Sequence, residues 1–576
     1  MPGRVTKPRA TATATKPAAR AVSARAAAKK ADVKPQRRKA GYIPIERSTR
    51  DHDEPVAAGR ATTKARAAAE AHPEQPAAKR QKKTPAEPAK PAKAPAAVPK
   101  TKKPAARMPT PAPVKEEGPL NQAPTDVLAV FVFGDGDCGT LGLGPKQKEA
   151  PRARLNPFLD PDSATSFKVV QLDCGGLHVV ALTNDNQIVT WGVNDRCALG
   201  RDTTWDGEKL RDMDENASSD DDEDDLNPLE STPTAIPADS FPPGTRFAQV
   251  AAADNLSLAL TEDGQVYGWG TFVSHNGKDL FGYDSNSQPI KISPTPVLIP
   301  GLSNITQIAC GANHCLALDS SGSIWAWGIT ELNRPGRRVT SRHAVETFMP
   351  HRLESPKNVK YIATGSRHSF AVDKRDNVWG WGRNSYGEAG YAKGAGSETA
   401  IYVDRPKKVP DLCGKGVFLL TGGGHHSAAI TEENECLVWG RMDGGQLGIQ
   451  FTAEQLADDS LIKRGELRND PRICLRPTPV PGIGEAVYVA CGIDHTIFVN
   501  EEGKAYGSGF GSQGQLGIAS EDDVDVATLI TGKAIKGRVL SWTGAGGNFT
   551  LVAGLAGARV DVNGNGNAVT NGESSG

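Results

Sequence analysis

Two sequence landmarks recur together six times along this chain at a constant separation. Each copy opens with a small-residue turn that ends in histidine in five copies and in leucine in one, and Trp-Gly or a related dipeptide follows thirteen residues later. Because the spacing inside each copy is fixed while the segments between copies vary, the sequence predicts one small unit that is repeated and stacked. The landmark pairs are His178 and Trp191, Leu256 and Trp269, His314 and Trp327, His368 and Trp381, His426 and Trp439, and His495 and Ser508.

Short apolar and β-branched runs separated by Gly-rich turns fill each copy. In the first copy these runs are Phe167–Leu172, Val179–Leu182 and Ile188–Trp191, and turns such as Asp263-Gly264 separate the corresponding runs of the next copy. Runs of this length and composition are typical of strands joined by tight hairpins. We therefore predict an all-β chain in which each copy is an antiparallel meander.

The two ends of the repeated region each carry half a copy. Residues 130–142 match only the second half of the unit, and residues 541–552 match only the first half. Pairing the two halves would remove exposed sheet edges, whereas an open array would need polar caps at its ends. The sequence therefore predicts a seven-bladed β-propeller over residues 126–556, closed by N- and C-terminal half-blades.

The charge of the chain is divided between its two parts. Residues 1–118 contain 28 Lys and Arg against 10 Asp and Glu, and the rest contains 39 against 57. Because residues 1–125 are rich in Ala, Pro and Lys and almost free of aromatic residues, we predict a disordered basic N-terminal tail. Two basic clusters suit nuclear import and sequence-independent contact with DNA phosphates, although a solvated linker has the same composition. Their residues are Lys34, Arg37, Arg38, Lys39, Lys79, Arg80, Lys82 and Lys83.

A mitochondrial transit peptide is a second interpretation of the N-terminal residues, which contain no acidic residue before Asp32. The same Lys, Pro and Ala composition continues to about Arg107, well past the length of a transit peptide. Prolines at positions 2, 8, 17 and 35 would also interrupt a long amphipathic helix. We therefore favour the nuclear interpretation.

One segment between copies is much longer than the others. Successive Trp-Gly pairs are 54 or 58 residues apart in the regular copies, but Trp191 and Trp269 are 78 apart. The excess contains Ser218 and Ser219 followed by six consecutive acidic residues, so we predict an acidic disordered insertion at about residues 206–235. This insertion could mask the basic tail or accept phosphate, but a solvated loop is the simpler interpretation. Residues 557–576, rich in Gly and Asn, are expected to form a second disordered tail.

Several classes of site are not indicated by the sequence. Nine cysteines lie in the repeated region without any Cys-x-x-Cys pair, so we expect reduced, buried thiols in a nuclear or cytosolic protein and no metal site. No apolar run approaches the roughly 18 residues of a membrane span, so no membrane partner is expected. Phosphate-loop and nucleophile–base motifs are also missing, so we expect neither a cofactor nor covalent catalysis.

The histidine position and the position before it behave differently across the copies. His178, His314, His426 and His495 each follow Gly-x-x and precede an apolar strand, so we expect buried, hydrogen-bonded imidazoles with a structural role. The preceding position, which we call the variable position, changes from copy to copy. Loop residues that differ from copy to copy on an otherwise constant scaffold are the ones expected to form a specific binding face. Its occupants are Leu177, Asn255, Asn313, Arg367, His425, Asp494 and Asn548.

Over residues 130–553 these motifs resemble the fungal-type members of the regulator of chromosome condensation family. Members of that family are seven-bladed propellers that act as guanine nucleotide exchange factors for the small GTPase Ran. The resemblance implies an exchange factor that stabilises nucleotide-free Ran at chromatin, without bond chemistry, in support of nucleocytoplasmic transport and mitosis. It also implies a nuclear, chromatin-associated protein whose basic tail binds nucleosomes or DNA and an importin-type import receptor.

The resemblance also implies particular site residues. Residues 270–282 are similar to the family's β-wedge, a hairpin pushed against the GTPase beside its nucleotide. The face that binds the GTPase is expected to be acidic. The exchange residues implied are His425, Asp254, Asn313 and Arg337. The expected GTPase contacts are Asp137, Thr271, Phe272, Val273, Ser274, His275, Asn276, Asn255, Arg367 and Asp494. Two positions depart from the family, since Asn313 stands where an aspartate is often found and Phe549 stands where a histidine is found.

Two other functions share this kind of propeller. A non-catalytic chromatin scaffold would bind DNA through the tail without accelerating GDP release. A light sensor would need a cluster of exposed tryptophans at a dimer face, whereas most tryptophans here occupy the repeated Trp-Gly position.

Overall fold

Seven antiparallel sheets of four or five strands form the body of the protein. The computed structural model describes residues 118–206, 225–273, 279–283, 288–329, 336, 345–397, 401–466, 468–559, 561–562 and 568–569. Each large sheet is a blade built from neighbouring strands, and each blade follows the previous one along the chain. The prediction of an all-β, seven-bladed propeller is confirmed.

The first four blades follow one plan. The chain enters with β1 (Leu128–Asp135) and β2 (Glu149–Leu155), which belong to the last blade. Blade 1 contains β3 (Val169–Cys174), β4 (His178–Thr183), β5 (Ile188–Gly192) and β6 (Thr234–Ala235). Blade 2 contains β7 (Phe247–Ala252), β8 (Leu256–Thr261) and β9 (Val266–Gly270), then the small strands β10 (Phe272–Val273), β11 (Asp279–Leu280), β12 (Gly282–Tyr283) and β13 (Pro289–Ile290), and finally β14 (Ser293–Leu298). Blade 3 contains β15 (Ile305–Cys310), β16 (His314–Asp319), β17 (Ile324–Gly328) and β18 (His351–Arg352), and blade 4 contains β19 (Val359–Thr364), β20 (His368–Asp373), β21 (Val378–Arg383) and β22 (Tyr402–Lys408).

The remaining blades complete the ring. Blade 5 contains β23 (Leu419–Gly422), β24 (His426–Ile430), β25 (Cys436–Arg441), β26 (Ile462–Arg464) and β27 (Pro471–Pro479). Blade 6 contains β28 (Ala486–Cys491), β29 (His495–Asn500), β30 (Ala505–Gly509) and β31 (Val524–Leu529). Blade 7 joins β32 (Trp542–Ala545) and β33 (Phe549–Leu555) to β1 and β2. The strands β34 (Asp561–Val562) and β35 (Ala568–Val569) form a separate small pair in the C-terminal region expected to be disordered.

Closure depends on one strand pair from opposite ends of the chain. Strands β1 and β33 are antiparallel in continuous register from Leu128 opposite Leu555 to Gly134 opposite Phe549. The inner half of blade 7 is therefore C-terminal and its outer half N-terminal, as the two half copies predicted. This pairing leaves no sheet edge exposed at the junction between the two ends of the body.

The structure differs from two predicted boundaries, that of the acidic insertion and that of the N-terminal tail. The α-helix Pro228–Ser231 and strand β6 lie inside the range 206–235 predicted as a disordered insertion, so that boundary was too wide. Asn227 caps this helix by accepting a hydrogen bond from the Leu229 N–H. At the N-terminal boundary, Asn121 hydrogen-bonds to three backbone groups of blades 2 and 3, so residues 118–125 belong to the body rather than to a disordered tail. The part of the chain that the structure describes also contains the α-helix Ala453–Ala457 and the 3₁₀ turns Ala238–Ser240, Val345–Phe348 and Pro410–Leu412.

Buried histidines connect five pairs of neighbouring blades. Five imidazole Nε2 atoms lie 2.7–3.0 Å from a Ser or Thr hydroxyl oxygen of the following blade. In four of these pairs the hydroxyl donates its own proton to a backbone carbonyl, so the imidazole donates through Nε2. The predicted structural role is confirmed. Burial lowers the imidazole pKa to about 3 for His368 and to about 4 for His178, His314, His426 and His495.

Two of the repeated tryptophans donate to the same carbonyls as these interblade hydroxyls. The buried Trp269 and Trp439 indoles donate through Nε1 to the carbonyls of Ala198 and Glu388, at 2.8 and 3.1 Å. The carbonyl in each case belongs to the turn that follows Trp-Gly in the preceding blade, which we call the post-Trp turn. At these two junctions the constant spacing within the repeat therefore positions one carbonyl to accept hydrogen bonds from both an indole and a hydroxyl of the next blade.

The two faces of the propeller carry different turns. His426 pairs with Gly440 across β24 and β25, so the variable position and the post-Trp turn lie at the same end of the blade. We call this end the turn face. Turns such as 261–265 lie on the opposite face, where Asn121 donates to the Thr261 carbonyl. Among the described residues, no helix is long and apolar enough to cross a bilayer, and all nine cysteines are free thiols.

Candidate functional site

The variable position is held by its backbone in every blade. Its carbonyl accepts a hydrogen bond of 2.8–3.0 Å from the residue that follows Trp-Gly or its counterpart, in all seven blades. At His425, a Cβ atom on Gly440 would lie only 2.7 Å from the accepting oxygen, and the Gly440 φ of +106° also disfavours a side chain. The glycine of Trp-Gly is therefore required for this contact, which fixes the backbone and leaves the side chain of the variable position free for recognition.

These turns form a ring around the propeller axis. The Asp254 N–H donates to the Ala312 carbonyl, the Ala312 N–H to Ser366 and the Ser366 N–H to Gly423, at 3.0–3.1 Å. Hydrogen bonds also run from Gly424 to blade 6 and from Gly547 to Gly176. Consecutive blades therefore hold Asp254, Asn313, Arg367, His425 and Asp494 on a common rim. We call this set of turns the axial ring.

His425 has an unusual environment within the axial ring. Its ring packs against Tyr386, with centroids 4.8 Å apart, and its Nδ1 atom has no hydrogen-bond partner among the described residues. Burial, reinforced by the positive charges of Arg383 and Arg441, lowers the pKa of His425 to about 3. A neutral imidazole is thus presented at physiological pH, and it can exchange hydrogen bonds with a partner without changing the charge of the site.

Arginines surround this imidazole and pair with acidic residues of blades 5 and 6. Arg441 lies 2.5 Å from Asp443 and 3.4 Å from Asp494, and Arg472 lies 3.8 Å from Asp443. The Arg441 and Arg472 guanidinium groups also lie over the Tyr386 ring. The expectation of an acidic face is therefore wrong around blades 4–6, where the described residues form a network of alternating charges.

Asp254 lies on the other side of the axial ring. Desolvation by the surrounding turns raises the pKa of the Asp254 carboxyl, and the positive charge of Arg367 opposes this rise. Because Asp254 itself is exposed, we expect solvent to screen both effects. Arg367 is thus close enough to influence both Asp254 and the His425 side of the ring.

The predicted wedge begins as a hairpin directly after Trp269-Gly270. Strand β10 pairs with β11, and Arg196 of blade 1 forms an ion pair with Asp279 on the returning strand. The Val273 N–H donates to the Asn313 Oδ1 atom at 2.9 Å, so the neutral residue found in place of an aspartate fastens the wedge to the axial ring. The wedge base is therefore fixed from two neighbouring blades.

Two expected GTPase contacts in the wedge are buried. The Thr271 hydroxyl donates to the Lys291 carbonyl at 2.7 Å, and Phe272 packs in the blade 2 core with its ring 6.0 Å from that of Phe348. Both side chains are about 1% exposed, so their assignment as contact residues is wrong and they anchor the hairpin instead. Val273 is partly exposed. Ser274, His275, Asn276 and Arg337, and all eight basic residues of the tail clusters, lie outside the described residues.

Several residues of this site were missed in the sequence analysis. Asp137, which was expected, is exposed on the turn face of blade 7, and Asn255 is partly exposed on the axial ring. The sequence pattern does not identify four of them, because they lie in or beside post-Trp turns, outside the fixed interval from histidine to Trp-Gly. These residues are Arg383, Tyr386, Glu388 and Arg441. The repeated Trp-Gly-Arg of blades 4 and 5 was the available signal.

The wedge anchor gives a first testable expectation. Changing Asn313 to Ala removes the acceptor of the Val273 N–H, and loss of such a hydrogen bond costs about 1 kcal/mol, or about fivefold in a rate that depends on wedge placement. Asn313→Asp keeps an acceptor oxygen at the same place and should retain most of the wild-type behaviour. Hydrogen exchange of the Val273 amide tests this: faster exchange in Asn313→Ala alone is expected, and equal protection in all three proteins would contradict it.

Comparison with known proteins identifies relatives in both sequence and structure. The family model of the RCC1-like domain matches residues 129–552. The guanine nucleotide exchange factor SRM1 of Saccharomyces cerevisiae is 37% identical over 442 residues, which cover 74% of this chain and 87% of that protein.

Two solved structures share the fold. The crystal structure of Prp20p from Saccharomyces cerevisiae, described together with its binding to Gsp1p and histones, matches with a TM-score of 0.66 at 34% identity and covers 76% of this chain and 93% of that one. The structure of Kap60 bound to yeast RCC1 (Prp20) matches with a TM-score of 0.67 at 33% identity and covers 79% of this chain and 96% of that one. No group of His, Cys, Asp and Glu able to hold a metal occurs among the residues that the structure describes.

Proposed function

The chain belongs to the RCC1-like domain family, and from this premise we propose that it is a guanine nucleotide exchange factor for a Ran-type small GTPase. The relatives named as an exchange factor and as binding Gsp1p are similar to it over most of its length. The observation that carries the proposal is the axial ring, which places polar side chains of five consecutive blades beside an anchored wedge.

The ring and wedge form a surface on which one partner can be engaged at several points. Arg367, His425 and Asp494 come from different blades, and each is held by the hydrogen bond that its carbonyl accepts. Asp254, one residue before the variable position of blade 2, is held by the bond from its N–H to the Ala312 carbonyl. Because a closed propeller is rigid, the spacing of these groups is set before the partner binds, and little ordering is required on association. Such a surface suits recognition of a folded protein better than capture of a small molecule.

Exchange on this surface needs no bond chemistry. The surface binds the GTPase more tightly when the nucleotide site of the GTPase is empty. By linkage, binding of the exchange factor lowers the affinity of the GTPase for nucleotide by the same factor. Each tenfold acceleration of release requires about 1.4 kcal/mol of preferential stabilisation of the path to the empty state. The wedge, whose base is held by Asn313 and Arg196, displaces the phosphate-binding region of the GTPase. Cellular nucleotide concentrations then decide which nucleotide rebinds.

The proposed activity is tested by the release of fluorescent GDP from a panel of small GTPases. We expect the protein to accelerate release from a Ran-type GTPase and to leave unrelated GTPases close to their intrinsic rate. Equal, uncatalysed rates across the whole panel would contradict exchange activity and would support the scaffold alternative.

We place this activity in the nucleus at chromatin, with a basic tail that binds nucleosomes or DNA and an importin-type receptor. The solved relatives described with histones and with Kap60 support these partners. In addition, Leu120 and Asn121 lie on the face opposite the axial ring. The described residues therefore begin away from the surface proposed for the GTPase.

Charge removal in the tail tests the proposed DNA contact. Replacing the eight basic residues of the two clusters by Ala removes up to eight phosphate contacts. The slope of log affinity for duplex DNA against log salt should then fall in magnitude by up to about 7, since each contact contributes about 0.9. GDP release in solution should be unchanged in this variant. An unchanged salt slope would exclude these clusters as the DNA-binding segment.

A further inference from the structure

Glu388 occupies a position where two other blades use glutamine. Gln446 Oε1 accepts a hydrogen bond from the Gly444 N–H at 2.9 Å, and Gln515 Oε1 accepts one from the Gln513 N–H at 3.0 Å. Glu388 Oε2 accepts the equivalent bond from the Tyr386 N–H at 2.6 Å. All three side chains are fully buried. The post-Trp turn of blade 4 therefore buries a carboxyl group where a neutral amide would make the same structural hydrogen bond.

The second carboxyl oxygen of Glu388 points to an arginine of the site. Oε1 lies 3.8 Å from Arg383 Nε and has no hydrogen-bond partner among the described residues. The Arg383 side chain is itself 12% exposed, and its Nε also lies 3.4 Å from the Ser385 hydroxyl. The Glu388 carboxyl group is thus a buried negative charge beside the nearly buried guanidinium group of Arg383.

Arg383 connects this carboxyl group to the axial ring. The Arg383 backbone N–H donates to the Arg367 carbonyl at 2.8 Å. After burial, the charge of the Arg383 guanidinium group is the largest electrostatic influence on the pKa of His425. The Glu388 carbonyl accepts bonds from Ser427 and Trp439 of blade 5, so the carboxyl group sits at the junction of blades 4 and 5. A change of charge at Glu388 therefore acts on the part of the ring that carries His425.

We propose that Glu388 is a positioning residue that, when ionised, holds Arg383 in the arrangement competent for exchange and, when protonated, releases it. This inference rests on the proposed function and adds regulation of the same site by pH. The ionised form pre-organises the rim, because one guanidinium group is fixed and its charge is balanced. The protonated form leaves an additional net positive charge beside His425 and frees a side chain that the GTPase would have to order on binding.

The midpoint expected for this switch lies in the physiological range. Burial raises the Glu388 pKa to about 7, against the opposing effects of its backbone hydrogen bonds and of Arg383 and Arg367. Both nearby imidazoles, His368 and His425, have pKa values lowered to about 3 by burial, so they do not titrate there. Among the described residues, the charged groups that act on the Glu388 carboxyl are Arg383 and Arg367, and the Tyr386 N–H donates to it. His425 packs on Tyr386, and His368 hydrogen-bonds to the Ser427 hydroxyl that donates to the Glu388 carbonyl.

The test is the pH profile of GDP release from a Ran-type GTPase, measured with wild type and Glu388→Gln. A single group with a pKa near 7 is about 90% ionised at pH 8 and about 10% at pH 6, so acceleration by wild type should fall about tenfold between them. Glu388→Gln should be nearly flat, at the level of wild type at pH 6. Its fold is expected to persist because glutamine already fills this position in two blades. Glu435→Gln removes one partly exposed carboxylate on the opposite face and serves as the charge control.

A second measurement separates this inference from the proposed function. A Glu pKa raised from 4.5 to about 7 in the folded state gives stability that is fully present below pH 4.5 and is lost as pH rises through 7. The melting temperature of Glu388→Gln should therefore rise relative to wild type between pH 5 and pH 8, whether or not a GTPase is present. Identical pH profiles of exchange in wild type and Glu388→Gln would overturn the inference while leaving exchange activity intact. Absence of exchange by wild type at every pH would overturn the proposed function and this regulation with it, even with the stability difference present.

Discussion

The protein is expected to lose most of its stability between pH 6.5 and pH 5, because five buried imidazoles must remain neutral in the fold. Their folded pKa values of about 3–4 lie below the ordinary value of 6.5. Stability is therefore fully present above pH 6.5 and is lost as pH falls, since the unfolded chain binds protons that the folded chain cannot. At pH 5 the loss is roughly 2 kcal/mol for each histidine, or roughly 10 kcal/mol in total. That exceeds the stability of many domains.

Two buried carboxyl groups act in the opposite direction. Burial raises the pKa of Asp173 to about 6 and that of Glu388 to about 7, so both take up protons in the folded state and offset a few kcal/mol of the loss. Urea unfolding at pH 7.5, 6.5, 5.5 and 5.0 measures the net effect. A steep fall in the free energy of unfolding below pH 6.5 is expected, and a constant value down to pH 5 would contradict the neutral, Nε2-protonated histidines.

His425→Ala is expected to reduce acceleration of GDP release on the order of a hundredfold, with little change in stability. The side chain is partly exposed on the axial ring, packs on Tyr386 and has an unpartnered Nδ1 atom among the described residues. Its removal takes away a pre-positioned polar group where the GTPase binds, but it disrupts no interblade hydrogen bond that the structure shows. Single-turnover release of fluorescent GDP at saturating exchange factor measures this loss.

The neighbouring histidine provides a matched control. His426 is fully buried and hydrogen-bonds to the Thr496 hydroxyl of the next blade at 2.7 Å. His426→Ala should therefore cost about 2–4 kcal/mol of stability through the cavity and the lost bond. The remaining folded fraction should exchange faster than His425→Ala. If the two variants lost activity and stability in the same proportions, the division between a structural and a functional histidine would be wrong.

The fold could be predicted from the sequence because each blade contains landmark residues at a fixed spacing and the two ends of the propeller each contain half a copy. Each landmark pair marks one strand register, so the fixed spacing from His426 to Trp439 corresponds to the pairing of β24 with β25. The half copies at the two ends required the pairing of β1 with β33, which the structure contains. Boundaries were less predictable, although Asn227 followed by Pro228 is a helix-start signal that could have shortened the predicted insertion.

The site could be predicted only in part, because contacts between residues of different blades depend on how the closed propeller places those blades side by side. The frame identified His425 and Asn313, but not the contact between Tyr386 and His425, which joins two blades. Thr271 and Phe272 were assigned with the wedge as a whole, and their burial follows from packing that the segment alone does not reveal. Glu388 could not be distinguished from a surface acid until its turn was seen to bury the side chain.

The most direct measurement is the affinity of the protein for a Ran-type GTPase with its nucleotide site empty and with GDP bound. The axial ring and wedge should bind the empty form at least a hundredfold more tightly, and GDP and GTP should each dissociate that complex, because only a differential affinity can shift the nucleotide equilibrium. Equal affinity for the two forms would show that this face docks a partner without opening its nucleotide site.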